Sequence, residues 1–136
     1  MGMRVGIVQI NVTDLRRAWA FYVETLGFCG KWTLGPGKPF ELELEHTGGP
    51  KVLVYPVDRV AQRNYPHDTG VTLVFYTDNI DRTFMEWSSK GVSFISIAWS
   101  RDERGIAGTP LGNFIAFSDP FGNIHELLEP QTSGIG

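Results

Sequence analysis

Ser118-Asp119-Pro120-Phe121-Gly122-Asn123-Ile124-His125-Glu126 is the stretch on which the reading of this chain turns. Residues 113–117 before it read as a strand, and so do residues 124–128, which begin inside it. The residues between, Asp119 to Asn123, are turn chemistry: proline presets φ, while glycine and asparagine accept positive φ. A β-hairpin is expected. Side chains alternate along a strand, so Ile124, Glu126 and Leu128 share one face while His125, Leu127 and Glu129 share the other. A carboxylate between two aliphatic residues on one face is the anomaly. Either that face is partly wet, or Glu126 has a partner.

Upstream of the hairpin, residues 71–76 read as a strand and Thr77-Asp78 as a helix start. Ile80, Phe84 and Trp87 follow as an apolar stripe, Gly91 stops the helix, and residues 92–97 form another strand. The first half has the same order. Residues 5–12 are strand-forming, with Val8, Ile10 and Val12 alternating against Ile7, Gln9 and Asn11. Thr13-Asp14 opens a helix carrying Leu15, Ala18, Trp19, Phe21, Tyr22 and Leu26, and Gly27 ends it. Strands are expected over 29–34, 40–46 and 51–57. Matching Thr13-Asp14 to Thr77-Asp78 sets Gly27 on Gly91 at equal spacing. The chain therefore reads as an α+β fold of two βαβββ copies: one domain over 1–136, with module one at about 4–57, a linker at 58–69 and module two at about 70–130.

These residues carry a resemblance. Val12-Thr13-Asp14-Leu15 with Ala20-Phe21-Tyr22 and Leu26-Gly27-Phe28 comes first. Thr77-Asp78-Asn79-Ile80-Asp81 with Lys90-Gly91-Val92 follows, and then the hairpin from Asp119 to Leu127. In that order they resemble the glyoxalase / bleomycin-resistance / extradiol-dioxygenase superfamily, the vicinal oxygen chelate family, over about 4–130. The resemblance implies paired modules whose sheets curl into a pseudo-twofold cup, a homodimer and a small-molecule ligand. It also implies that a metal-dependent member would use Glu126 as a metal ligand. The family's other ligand positions fall on Ile7, on Thr72 (or Val71 after a one-residue shift), and in the middle of 51–57, where Leu53, Val54 and Tyr55 stand. An isoleucine cannot ligate, and one carboxylate does not hold a divalent metal against water. No metal cofactor is expected. A divalent metal at a site shifted to Gln9, on Ile7's face, is the alternative.

Bulk properties exclude several classes. The 136 residues carry a net charge of −3 and no basic run, which argues against a nucleic-acid partner. No apolar run approaches the ~20 residues of a membrane span. Met1-Gly2-Met3-Arg4 leads into a strand without a leader pattern, so a cytoplasmic protein is expected. The single cysteine, Cys29, follows Gly27-Phe28 and is expected to be a small core residue. Phosphate-loop and nucleophile-elbow motifs are missing, and Gly35-Pro36-Gly37-Lys38 is a turn. His46 and His67 read as solvated loop residues. His125-Glu126 lacks the second histidine of a zinc motif and lies on a strand.

The presumed cup face combines Gln9 and Asn11 beside Ile7, Thr72 and Tyr76 beside Val74, and Glu126 between Ile124 and Leu128. A largely apolar wall with a few converging polar groups suits a small molecule. Trp32, Tyr55, Trp99 and Phe114 read either as aromatic walls or as core. Glu41, Glu43 and Glu45 read as a solvated strand face, or as an acidic wall favouring a cation. Residues 100–112 read equally as a lid and as a solvated hairpin loop. The expected function is small-molecule binding of the bleomycin-resistance type, as in drug sequestration. Glu126 would anchor the ligand, and Gln9, Asn11, Thr72 and Tyr76 would orient it. The alternative is a lyase, isomerase or dioxygenase using a shifted metal site, or Glu126 as a metal-free general base. The sequence leaves binder and enzyme undecided.

Overall fold

Strand β1 (Ile7–Val12) shows the expected alternation: Ile10 and Val12 are buried, whereas Ile7, Gln9 and Asn11 are exposed. A computed structural model of the chain describes residues 2–44, 49–66, 71–96, 100 and 102–131. It divides into two units, Met1–Ala61 and Gln62–Gly136, and the division falls inside the stretch read as a linker.

In the first unit β1 leads into α1 (Leu15–Trp19), which continues as a π-helical turn (Ala20–Thr25). β2 (Cys29–Lys31), β3 (Phe40–Glu43) and β4 (Lys51–Pro56) follow, in the sheet order β1-β4-β3-β2. The second unit runs β5 (Val74–Tyr76), α2 (Ile80–Ser89), β6 (Ser93–Ile95), β7 (Ala107–Thr109), β8 (Gly112–Ser118) and β9 (Ile124–Pro130). Its sheet order is β5-β9-β8-β6, with β7 paired to β8. In each sheet the first strand pairs in parallel with the last, and the other pairs are antiparallel. The two orders are the same arrangement, so the α+β repeat is real and β7 is an addition to it.

The helix starts correct the sequence alignment. Asp14 caps α1, its Oδ1 accepting from Arg16 N (3.0 Å) and Arg17 N (3.1 Å). In α2 the cap is Asn79, not the Thr77-Asp78 pair. Asn79 Oδ1 accepts from Arg82 N at 3.0 Å, and the Thr77 hydroxyl accepts from Asn79 N at 3.3 Å. Gly27 and Gly91 end the helices at φ 87° and 86°. The cap-to-glycine distance is thus one residue longer in the first unit. The π turn absorbs the extra residue, with Leu26 N donating to Phe21 O. Asp14 therefore corresponds to Asn79, Gln9 to Val74, Asn11 to Tyr76, and Ile7 to Thr72.

Each helix covers one face of its own sheet. Phe40, Leu42, Val52 and Val54 are buried under the first helix. Trp19 stacks on Trp32 at 4.4 Å and meets Phe40 edge-on at 5.0 Å, so Trp32 belongs to this helix-side cluster. Under α2, Trp87 meets Phe117 at 5.1 Å and Phe84 lies 4.6 Å from Phe94. Burying each such side chain contributes about 1.5–3 kcal/mol. Cys29 is exposed, against expectation. It sits on edge strand β2 beside Glu43 and alternates with Gly30, so its face is the one no helix covers.

Residues 100–112 hold β7 and a tight turn, in which Thr109 Oγ1 accepts from Leu111 N and Gly112 N at 3.1 and 3.2 Å. Arg104 reaches Asp81 of α2 at 2.5 Å and lies over Phe84. The described part of this segment is therefore tied to the helix side, opposite Glu126, and is a hairpin, not a lid over that carboxylate.

Candidate functional site

Asp119 builds the turn that sets β9. It is 4% exposed, and its carboxylate accepts from Phe121 N (2.9 Å), Asn123 N (2.8 Å) and Asn123 Nδ2 (2.7 Å). Gly122 takes φ 95°, which a side chain rarely adopts. The register then puts Glu126 beside Val74 on one side and Ala116 on the other. By that pairing Glu126 is, among the described residues, the only charged strand residue on the helix-free face of the second sheet. Its neighbours Ile124 and Leu128 are 6% and 8% exposed.

The partner that this anomaly demanded is Tyr65, whose hydroxyl donates to Glu126 Oε2 at 2.5 Å. That length is typical of a charge-assisted bond. Tyr65 comes from the stretch that the sequence offered only as a linker. Beside it Arg63 donates through Nη1 to Val71 O (3.0 Å) and through Nη2 to Thr72 Oγ1 (3.4 Å). Gln62 lies against Gly122, where an added Cβ would be 3.1 Å from its side chain. Residues 62–66 thus touch the hairpin turn, the approach to β5, and β9. The segment has no periodicity to announce this role. The available signal was a lone tyrosine in a polar stretch and a half-buried carboxylate in need of a donor.

Burial first, and then the bond and the charge of Glu126, raise the Tyr65 pKa far above its ordinary value near 10. The phenol is therefore a donor at all physiological pH. His125 lies on the opposite, helix-side face, 4% exposed and edge-on to Phe75 at 5.6 Å. Burial, helped by the charge of Arg63, pushes its pKa down to about 3, so the ring is neutral.

In the first unit Gln9 Nε2 donates to Asn11 Oδ1 at 2.7 Å, and both side chains are exposed. Their face also holds Leu53 and Tyr55, together with Glu41, Glu43, Lys31 and Lys51. Glu41 pairs with Lys51 at 3.7 Å and sits opposite Lys31. The described face is thus charge-balanced, not acidic. In the second unit Thr72 is engaged by Arg63, while Tyr76 is 74% exposed on the face of Glu126. Phe114 lies on this face too, by its pairing with Leu128. Glu45, His46, His67 and Trp99 lie outside the described residues.

The profile of the Glyoxalase/Bleomycin resistance protein/Dioxygenase superfamily matches residues 4–127, and the chain belongs to that superfamily. No curated protein matches the sequence. Among solved structures, the chain is similar to TnmS3, an antibiotic-binding protein from Streptomyces sp. CB03234. The identity is 23% and the TM-score 0.65, with 95% of this chain and 97% of that one covered. It is also similar to FosX, a fosfomycin resistance protein from Listeria monocytogenes, at 17% identity and TM-score 0.69, covering 97% of each chain. A glyoxalase family protein from Bacillus anthracis is 20% identical with TM-score 0.67, over 96% of this chain and 98% of that one. At these identities the likeness establishes the fold.

The residues at the family's metal positions do not fit a divalent ion. Ile7 offers no donor atom, the Thr72 hydroxyl is bonded to a guanidinium, and Glu126 Oε2 is held by a phenol. Among the described residues no three His, Cys, Asp or Glu side chains converge in a way that could hold a metal. A groove of about 620 Å³ lies elsewhere, on the helix side of the second unit, lined by Ile80, Asp81, Asp102, Arg104, Ile106 and Asn113 among others. Its charged groups are paired with one another: Arg104 bonds both Asp81 and Asp102, and its guanidinium holds the Asp102 carboxyl below its usual range. Among the described residues no helix is long and apolar enough to cross a membrane.

Proposed function

We propose that the chain is one glyoxalase-like domain that binds a small molecule without a metal, in the manner of a drug-sequestering protein, as a cytoplasmic homodimer. Glu126 anchors the ligand, and Thr72 and Tyr76 of the same unit orient it. The observation that carries this reading is the bond from Tyr65 to Glu126: the half-buried carboxylate is held by a phenol where a metal-dependent relative would coordinate an ion. Sequestration asks only for affinity, and a fixed acceptor on a face with few other polar groups contributes to it. The fold shared with an antibiotic-binding protein supports the same reading. The second reading, a lyase, isomerase or dioxygenase, needs Glu126 as a metal-free base or a shifted metal, and the likeness to a fosfomycin resistance protein keeps it in view.

The test is a fluorescence titration of the protein and its Glu126→Gln variant against a panel of antibiotics, with and without a chelator. A ligand bound by wild type should lose about 10- to 100-fold in affinity in the variant, the worth of a charge-assisted hydrogen bond of roughly 1.5–3 kcal/mol. The chelator should change nothing, and the ligand should be recovered intact. A chemically altered ligand would replace sequestration with catalysis.

A further inference from the structure

What remains free on Glu126 decides what it can take. A carboxylate has two oxygens and about four lone-pair sites. Tyr65 holds Oε2 at 2.5 Å, and among the described residues nothing is bonded to Oε1. The phenol stays protonated, so it is a donor to the carboxylate and not an anionic ligand for an ion. Nearby, at the approach to β5, the Arg63 guanidinium bonds a carbonyl and a hydroxyl and has no carboxylate within ion-pair distance among the described residues. An incoming dication would have only Oε1 fully open to it and would meet this charge. A guanidinium or amidinium binds a carboxylate best through both oxygens at once, and Tyr65 already occupies one lone pair of Oε2 and weakens that oxygen as a second acceptor.

Resting on the reading that this face receives a small molecule, we propose that Tyr65 is the specificity-determining residue of the site. By engaging Oε2 it leaves Oε1 as the stronger acceptor, so the ligand meets Glu126 best through a one-pronged donor, a protonated amine or a hydroxyl. A two-pronged amidinium or guanidinium, or a metal chelated by both oxygens, is disfavoured. Arg63 is a positioning residue in this arrangement: its bonds to Val71 O and Thr72 Oγ1 fix the segment from which Tyr65 reaches β9.

The experiment uses the full chain as wild type, Tyr65→Phe and Glu126→Gln. Tyrosinate absorbance is first followed to about pH 11.5, well past the ordinary tyrosine range near 10. Wild type and Tyr65→Phe should release the same absorbance, because Tyr65 does not ionise there. Benzylamine and benzamidine, aromatic cations of equal charge with one and two donor prongs, are then titrated by NMR. Wild type should prefer benzylamine, and Tyr65→Phe should shift the ratio toward benzamidine by about tenfold, as expected when a bidentate pair becomes available. Glu126→Gln should lose both. Nickel alone should not bind wild type through Glu126. An extra tyrosinate in wild type, an unchanged ratio in Tyr65→Phe, or one equivalent of Glu126-dependent nickel overturns the role of Tyr65 and leaves ligand binding standing. If the silent phenol is present but neither amine binds any of the three proteins, the reading of the face fails, and the proposal with it.

Discussion

Leu53 and Glu126 hold the same place in the two halves of this molecule. Gln9 corresponds to Val74, and these residues pair with Leu53 and Glu126 respectively, each on the helix-free face of a sheet with the same strand order. One step along the same strands, Val52 corresponds to His125, and both are 4% exposed on the helix side. The comparison teaches where a duplicated topology is constrained. The helix side must be filled, so valine and a neutral imidazole are buried to the same extent. On the other side the halves diverge. The first half has an aliphatic residue and moves its carboxylate to Glu41 on the neighbouring strand, paired with Lys51. The second keeps the carboxylate on the strand that pairs with β5 and supplies a phenol for it from outside the sheet.

The largest expected effect tests how tightly each half closes on its glycine. A Cβ at Gly112, where φ is 138°, would lie 2.1 Å from the backbone oxygen of Glu129, so β8 and β9 would have to part. Gly112→Ala should cost on the order of 4 kcal/mol or more, or leave no folded protein, since strain and a backbone clash act together. A Cβ at Gly30 meets side chains instead, the Trp19 ring at 2.5 Å and Val23 at 2.7 Å. Gly30→Ala should therefore cost only about 1–3 kcal/mol through overpacking. Urea denaturation of the two variants gives the answer, and equal losses would break the contrast.

The next effect separates Val52 from His125. The folded pKa of His125 is depressed to about 3, whereas the unfolded chain titrates near 6.5. Its contribution is complete above pH 6.5. It is lost as pH falls toward 3, because the unfolded chain binds a proton that the folded ring refuses. The slope is at most about 1.4 kcal/mol per pH unit for one proton. His125→Val copies the first half and should flatten the acid side of the stability profile relative to wild type while leaving the profile above pH 6.5 parallel. Urea midpoints from pH 4 to 8 measure this. Superimposable slopes would mean that other groups carry the acid dependence.

The smallest effect makes the second sheet resemble the first. Glu126→Leu leaves the Tyr65 hydroxyl without its acceptor and should cost about 1–3 kcal/mol. Adding Tyr65→Phe should recover most of that, because removing both partners of a hydrogen bond is far cheaper than removing one. Additive losses in this double-mutant cycle would show that the two side chains do not depend on each other.

Local chemistry accounts for what could be read in the chain. Periods of 3.6 and 2 placed both helices and most strands, and Gly27 and Gly91 marked the helix ends. The errors have physical causes as well. Asn79 displaced the Thr77-Asp78 pair as cap, because all three residues can accept at a helix start and only packing chooses among them. The sequence does not announce β7, because Ala107 and Gly108 disfavour strands, Thr109 alone is too short a signal, and the strand is held by pairing with β8. Cys29 was misplaced because its residue type favours burial while its position, on an edge strand and the helix-free face, does not.

The sequence by itself determined the repeated βαβββ order, the hairpin at Asp119, the superfamily, and the strand parity that sends Glu126 and His125 to opposite faces. Each of these follows from residues close together in the chain. Only the tertiary structure decided that Glu126 is held by Tyr65, 61 residues away, and that Arg63 engages Thr72. A stretch without periodicity carries no local signal of what it will touch. Its contacts are chosen by the requirement that a half-buried carboxylate find a donor, and that requirement acts only once the sheet has formed.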